Sequence, residues 1–163
     1  MADCPLHLNE RARLFWARTI LQVWPQPYLL VSLPTEMLTG VTATLESSAG
    51  RFAGLVIERD EIALTVDEQL WLLSPIRPKA LAESGPYRVI TCDVKVDLDV
   101  VGYLAPAAVA LAKAGISIVP QCGYLKDHLL VAEKDLEKAL QTLQELISSC
   151  KDCSDALLLQ VPV

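Results

Sequence analysis

The stretch YRVITCDVKVDLDVVGYLAPAAVALAKAGISIVPQC, Tyr87 to Cys122, decides the fold. Its first ten residues set Arg88, Ile90, Cys92, Val94 and Val96 against Tyr87, Val89, Thr91, Asp93 and Lys95, the period-two pattern of a strand lying on one core. From Leu104 through Ala108 and Leu111 apolar residues recur at helical spacing, and Gly115 supplies a left-handed stop. A proline inside a helix removes a backbone hydrogen bond and clashes with the preceding turn, so Pro106 belongs to a first turn and the helix is predicted to begin near Gly102 or Tyr103. ISIVPQC then reads as a second strand.

Downstream, DHLLVA pairs with that strand across the turn GYLK. In KDLEKALQTLQELI, Leu136, Ala139, Leu140, Leu143, Leu146 and Ile147 form an apolar stripe, with Glu137, Lys138, Gln141, Gln144 and Glu145 on the wet face and Asp135 as N-cap. ALLLQVPV has the character of a final strand. The order strand, helix, strand, strand, helix, strand puts two helices on one face of an antiparallel sheet, an α+β sandwich of the ferredoxin-like (βαββαβ) type.

Upstream the pattern is weaker. HLNERARLFWARTILQVW, residues 7 to 24, reads as an amphipathic helix with Leu14, Ala17, Leu21 and Trp24 on its apolar stripe, ended by Pro25 and Pro27. PYLLVSLP is a short buried strand, and PTEMLTGVTATLESSAG is ambiguous between a weak helix and a loop. Phe52 to Glu58 and Glu61 to Val66 flank the charged turn RDE as a hairpin. The proline- and glycine-rich SPIRPKALAESGP marks the expected domain boundary, which gives an N-terminal helical extension (1–27), a first module (28–84) and a second (85–163).

The chain has 163 residues, and its charged fraction of 21% with 52% hydrophobic residues suits a packed core rather than disorder. A net charge of -6 argues against nucleic acid or anionic membrane surfaces as partners, since both require concentrated lysine and arginine. The uncharged run TILQVWPQPYLLVSLPT is broken by Pro25, Pro27 and Pro34, so a membrane span is not expected, and the N-terminus lacks the layout of a signal or transit peptide. These features predict a cytoplasmic protein.

The junction DLDVVGYLAP carries the best candidate chemistry. A helix starting there leaves the backbone N–H groups of about residues 103 to 105 without partners at the positive end of the helix dipole, and Gly102 admits close approach to the backbone. Asp97 and Asp99 lie just before and either receive an ammonium group or cap the helix. A carboxylate receptor beside a carboxylate is the minimum needed to hold a free α-amino acid.

At this point the sequence resembles the ACT domain, in particular the paired modules of amino-acid sensors of the CASTOR kind and of the aspartate kinase regulatory region. The matching elements are Val101, Gly102 and Leu104 at the helix start, Ala114 to Ile118 at its end, Tyr124, Asp127 and Val131 in the third strand, and Asp135, Leu136, Glu137 and Ala139 in the last helix. Residues 28 to 84 fit a first, degenerate module in outline. The resemblance implies two ferredoxin-like modules and a regulatory, non-enzymatic homodimer that binds an amino acid between modules or subunits. Its ligand would touch the loop through Asp97, Asp99, Val101, Gly102, Tyr103 and Leu104 and the strand at Ser117, Ile118 and Val119. No cofactor is implied. ACT modules also serve as dimerisation units without a ligand.

Two other chemistries merit weighing. Cys122 or Cys92 with His128, helped by Asp127, is the one arrangement suited to nucleophilic catalysis, and His128 is expected to be structural instead. Cys150 and Cys153 form a C-x-x-C, but a zinc site needs a second ligand pair and a redox motif should open a helix rather than follow one, so no metal is expected.

Overall fold

Proline and β-branched residues, more than hydrophobic periodicity, place the first elements of the chain. The computed structural model describes residues 9–158, with side chains to residue 152. Cys4, His7, the Cys153 side chain and residues 159–163 of the expected final strand lie outside the described residues. The chain folds as two compact units, Met1–Gln22 with Thr91–Val163 (unit 1) and Val23–Ile90 (unit 2).

The N-terminal helix is half as long as its periodicity suggests. Helix α1 spans Glu10–Arg18, capped by the Asn9 side chain on the Arg11 N–H, and Thr19 leaves it with extended backbone. Residues Ile20–Val23 form strand β1, which pairs with β5 (Ala82–Asp93). Threonine, isoleucine and valine are stiff at χ1 and favour the pleated backbone, which overrides the helical spacing of Leu21 and Trp24. The buried stripe of α1 is Ala12 and Trp16, whereas Leu14 is 39% exposed.

Unit 2 has a full βαββαβ order. Its elements are β2 (Tyr28–Leu33), α2 (Leu38–Glu46), β3 (Gly54–Ile57), β4 (Ile62–Asp67), α3 (Glu68–Leu72) and the first half of β5. Strands run in the order β3-β4-β2-β5 with β2 antiparallel to both neighbours, Val31 facing Leu64 and Glu83. The ambiguous segment after Pro34 is a helix because Val41 fills the core with Leu29, Val31, Leu33, Ile62, Leu64, Val66 and Trp71. Asp67, 1% exposed, ends β4 by accepting the Leu70 N–H as the N-cap of α3 and the Arg51 guanidinium at 2.9 Å. The residues after Ala82, expected to belong to a boundary loop, are strand, paired Ser32 to Ala82 and Leu30 to Ser84.

Unit 1 builds the same layers with a different chain order. It contains the second half of β5, α4 (Ala105–Lys113), β6 (Ile118–Cys122), β7 (Asp127–Ala132) and α5 (Leu136–Leu158). Thr91 and Cys92, adjacent in β5, are both buried, so this part of the strand is covered on both faces rather than on alternate ones. Gly115, φ 72, ends α4 in the left-handed region, and β6 pairs antiparallel with β7, Ile118 to Val131 and Cys122 to Asp127. Helix α5 buries Ala139, Leu143, Leu146, Ile147 and Cys150 and runs on through the C-x-x-C. Asp135 closes a short 3-10 turn leading into α5. Ala156 to Leu158 are helix where the sequence suggests a strand, and the strand beside β5 is β1, brought from the N-terminal segment.

Candidate ligand-binding cleft

Beyond Asp93 the chain leaves β5 and loops to α4. Asp97 accepts the Val100 N–H at 3.0 Å through its carbonyl, and Gly102 takes φ 79, a conformation that disfavours any side chain. The helix starts at Ala105, two to three residues later than Pro106 alone suggests, with Pro106 in its first turn. Its N-cap is Leu104, which makes no side-chain capping bond, so neither Asp97 nor Asp99 caps it. The first helical bond runs from the Ala108 N–H to the Leu104 carbonyl at 3.0 Å. The N–H groups of Ala105 and Ala107 precede that bond, at the positive end of the dipole.

A cleft of about 380 Å³ opens at this helix start. The loop contributes Val96, Asp97, Leu98 and Val100, the helix entry Gly102 to Ala105, and the β6–β7 turn Cys122 to Asp127. All of these residues belong to unit 1. The cleft thus gathers Asp97, Gly102, Tyr103 and Leu104 from the expected set. Asp99 and Val101 lie outside its lining, Val101 being 73% exposed. Ser117, Ile118 and Val119 also lie outside it, because Ser117 precedes β6, Ile118 and Val119 occupy its far end, and a strand rises about 3.3 Å per residue.

The turn Cys122 to Asp127 is the part of the cleft that no local motif announces. Its signal is topological. A strand returning through a crossover helix runs with the first strand, which carries the β6–β7 turn to the end where β5 leaves the sheet.

Asp97 and Asp99 are engaged by the Arg11 guanidinium of α1, at 3.4 Å and 2.9 Å. The Arg11 hydrogen bond and charge hold the Asp99 carboxyl below the ordinary carboxylate range. Both aspartates remain 71% exposed, so the pairs are screened by solvent. Lys126 pairs with Asp93. Tyr103 lines the cleft and is 5% exposed. Its ring stacks on Trp16 with centroids 4.9 Å apart, its carbonyl accepts the Trp16 indole N–H at 2.6 Å, and its hydroxyl meets Thr19 Oγ1 at 3.0 Å. Burial raises the Tyr103 hydroxyl well above its usual range.

The cysteine–histidine pair does not form. Residues opposite one another across an antiparallel pair share a face, so Cys122 lies with Asp127 and His128 with Gln121 on the other side. Burial, then the hydrogen bond and charge of Asp127, push the Cys122 thiol up to about 11, and burial pushes Cys92 up to about 12. Both are thiols at neutral pH, the weak form of the nucleophile. His128 Nδ1 lies 2.9 Å from Thr91 Oγ1. Among the described residues no group of three His, Cys, Asp or Glu side chains converges as a metal would require, and no helix is long and apolar enough to cross a membrane.

The ACT domain family matches residues 84–145, which include both the loop and the turn that line the cleft. No curated protein matches the sequence. A Vibrio cholerae protein of unknown function, described as a possible transport protein, superposes with a TM-score of 0.63 at 20% identity, over 85% of this chain and 97% of its own. The regulatory subunit of aspartate kinase from Thermus flavus superposes with a TM-score of 0.56 at 16% identity, over 78% and 95%. Clostridium acetobutylicum aspartate kinase gives 0.59 at 11% identity, over 78% of this chain and 34% of the enzyme. Residues 84–145 match the ACT domain family, and the chain shares the tandem ACT-type fold of these aspartate kinase structures.

Proposed function

We propose that the protein is a cytoplasmic, non-enzymatic regulator that binds a free amino acid or a similar small zwitterion in the unit 1 cleft and acts as a homodimer. The observation that carries this reading is the start of α4. Its N-cap has no side-chain bond, it opens on a cleft of about 380 Å³, and Asp97 and Asp127 are among the residues of the same lining. Backbone N–H groups there suit a ligand carboxylate, and the aspartates suit its ammonium group. The volume lies at the small end of the range for ligand pockets, which fits a metabolite better than a nucleotide.

Leu98, Val101 and Tyr124 are 75%, 73% and 79% exposed around the cleft. Apolar side chains grouped in this way favour a surface that a second copy covers. A ligand that binds only the folded state raises its stability, so a thermal-shift screen of the twenty amino acids is expected to give selective stabilisation, about 3 kcal/mol at a hundredfold excess over Kd. A flat response to all twenty from a dimeric protein would replace this reading with that of a dimerisation module.

A further inference from the structure

Helix α1 has no counterpart in the strand–helix order of an ACT module; it packs on α5, and its side-chain hydrogen bonds and ion pairs reach across to the segment that walls the cleft. Arg11 reaches Asp97 and Asp99 in the loop, Trp16 donates its indole N–H to the Tyr103 carbonyl, and Thr19 meets the Tyr103 hydroxyl. Tyr103 is buried, lines the cleft and immediately precedes the N-cap of α4. Its carbonyl and ring are therefore held from behind by α1, while the exposed loop residues Asp97 and Asp99 are tied to the same helix by the Arg11 guanidinium.

We infer that α1 is a clamp on the cleft, with Trp16 and Arg11 as positioning residues that act through Tyr103 and through Asp97 and Asp99, so that helix docking and the ligand-ready cleft are one linked equilibrium. The two contacts differ in kind. The Trp16 bond is fully buried, stacked and short, and fixes where the helix start sits. The Arg11 pairs are half in solvent and sensitive to salt, so they form the releasable part of the clamp. A ligand that requires the observed wall favours docked α1, and whatever pulls on the N-terminal segment changes the affinity of the cleft by the same factor. The N-terminal segment thereby becomes the route by which occupancy is reported.

The clamp stands on contacts present without ligand; only its regulatory consequence rests on the reading under Proposed function. Hydrogen exchange on the full-length chain tests it directly, comparing wild type with Arg11→Gln and with Trp16→Phe, which keeps an aromatic ring but deletes the N–H donor. Exchange in peptides covering residues 97–108 is expected to accelerate about fivefold in Trp16→Phe, the ratio that one net hydrogen bond represents, and by a smaller factor in Arg11→Gln, whose pairs are screened by solvent, while β4 of unit 2 keeps its protection. Unchanged exchange at 97–108 in Arg11→Gln would overturn the clamp, as would equal acceleration in both units, which would make Trp16 a core residue and nothing more. The amino acid that gives the largest thermal shift with wild type should bind both variants more weakly. If none shifts the wild type, the ligand reading fails while the exchange comparison still decides the clamp.

Discussion

His128 is the residue whose role depends most on what surrounds it. As a sequence neighbour of Asp127 and Lys126 it resembles a reactive group, but its ring nitrogen sits 2.9 Å from the Thr91 hydroxyl and burial holds its pKa below the usual histidine value. Asp127 opposes that shift and Lys126 adds to it. The folded state thus favours neutral imidazole. The unfolded chain takes up a proton as pH falls through about 6.5, so the contribution of His128 is complete above that value and is lost as pH falls toward its lowered folded pKa. Wild type is expected to lose more melting temperature between pH 7.5 and pH 5 than His128→Gln does. Equal losses in the two proteins would show that the imidazole titrates as in the unfolded chain. The loop aspartates are legible in type and not in partner. Asp97 and Asp99 do meet a cation, but the one that meets them is Arg11, more than eighty residues away in sequence. No local pattern encodes such a pairing.

Elements with one covered face are readable in the sequence, and elements in mixed surroundings are not. Helix α5 follows its stripe because Leu143 and Ile147 meet the core while Glu137, Gln141 and Glu145 meet water. Strand β5 alternates in sequence only in part, since the adjacent Thr91 and Cys92 are both buried, on opposite faces, and any apolar run satisfies that environment. The segment after Arg18 departs from its apparent period for a related reason. Leu21 and Trp24 fit a helical spacing, but over five residues periodicity is a weak signal, and pairing with β5 together with the stiffness of Thr19, Ile20 and Val23 decides for a strand. Pro106 marks the start of α4 to within three residues. The remaining offset comes from Tyr103, held in the loop by Trp16 and Thr19 instead of joining the helix.

At the scale of the whole molecule the two units use the same six-element plan in different chain orders. Unit 2 is contiguous from Val23 to Ile90 and has its own core of Leu29, Val31, Leu33, Val41, Ile62, Leu64, Val66 and Trp71. Residues 28 to 84 are legible only in outline because a four-residue strand and a threonine-rich helix carry little periodicity, although all six elements are present. A fragment covering Val23–Ile90 is expected to melt cooperatively by far-ultraviolet circular dichroism, since one complete core supports one domain. A sloping, non-cooperative trace would show that unit 2 depends on the remainder of the chain. Unit 1 borrows β1 from before unit 2, a long-range pairing that no reading of residues 85 to 163 alone reveals.

The ligand reading is most directly tested by isothermal titration of wild type and Ala105→Glu with the amino acid that gives the largest thermal shift. Ala105 is the exposed first residue of α4 and lines the cleft. A carboxylate at that position suits the helix dipole, by roughly 0.3–1 kcal/mol, and so preserves the fold while it occupies the place meant for the ligand carboxylate. Saturable binding to wild type and none to a variant of equal or higher melting temperature is the expected result; undiminished binding to Ala105→Glu would put the ligand, and with it the function, somewhere other than this cleft.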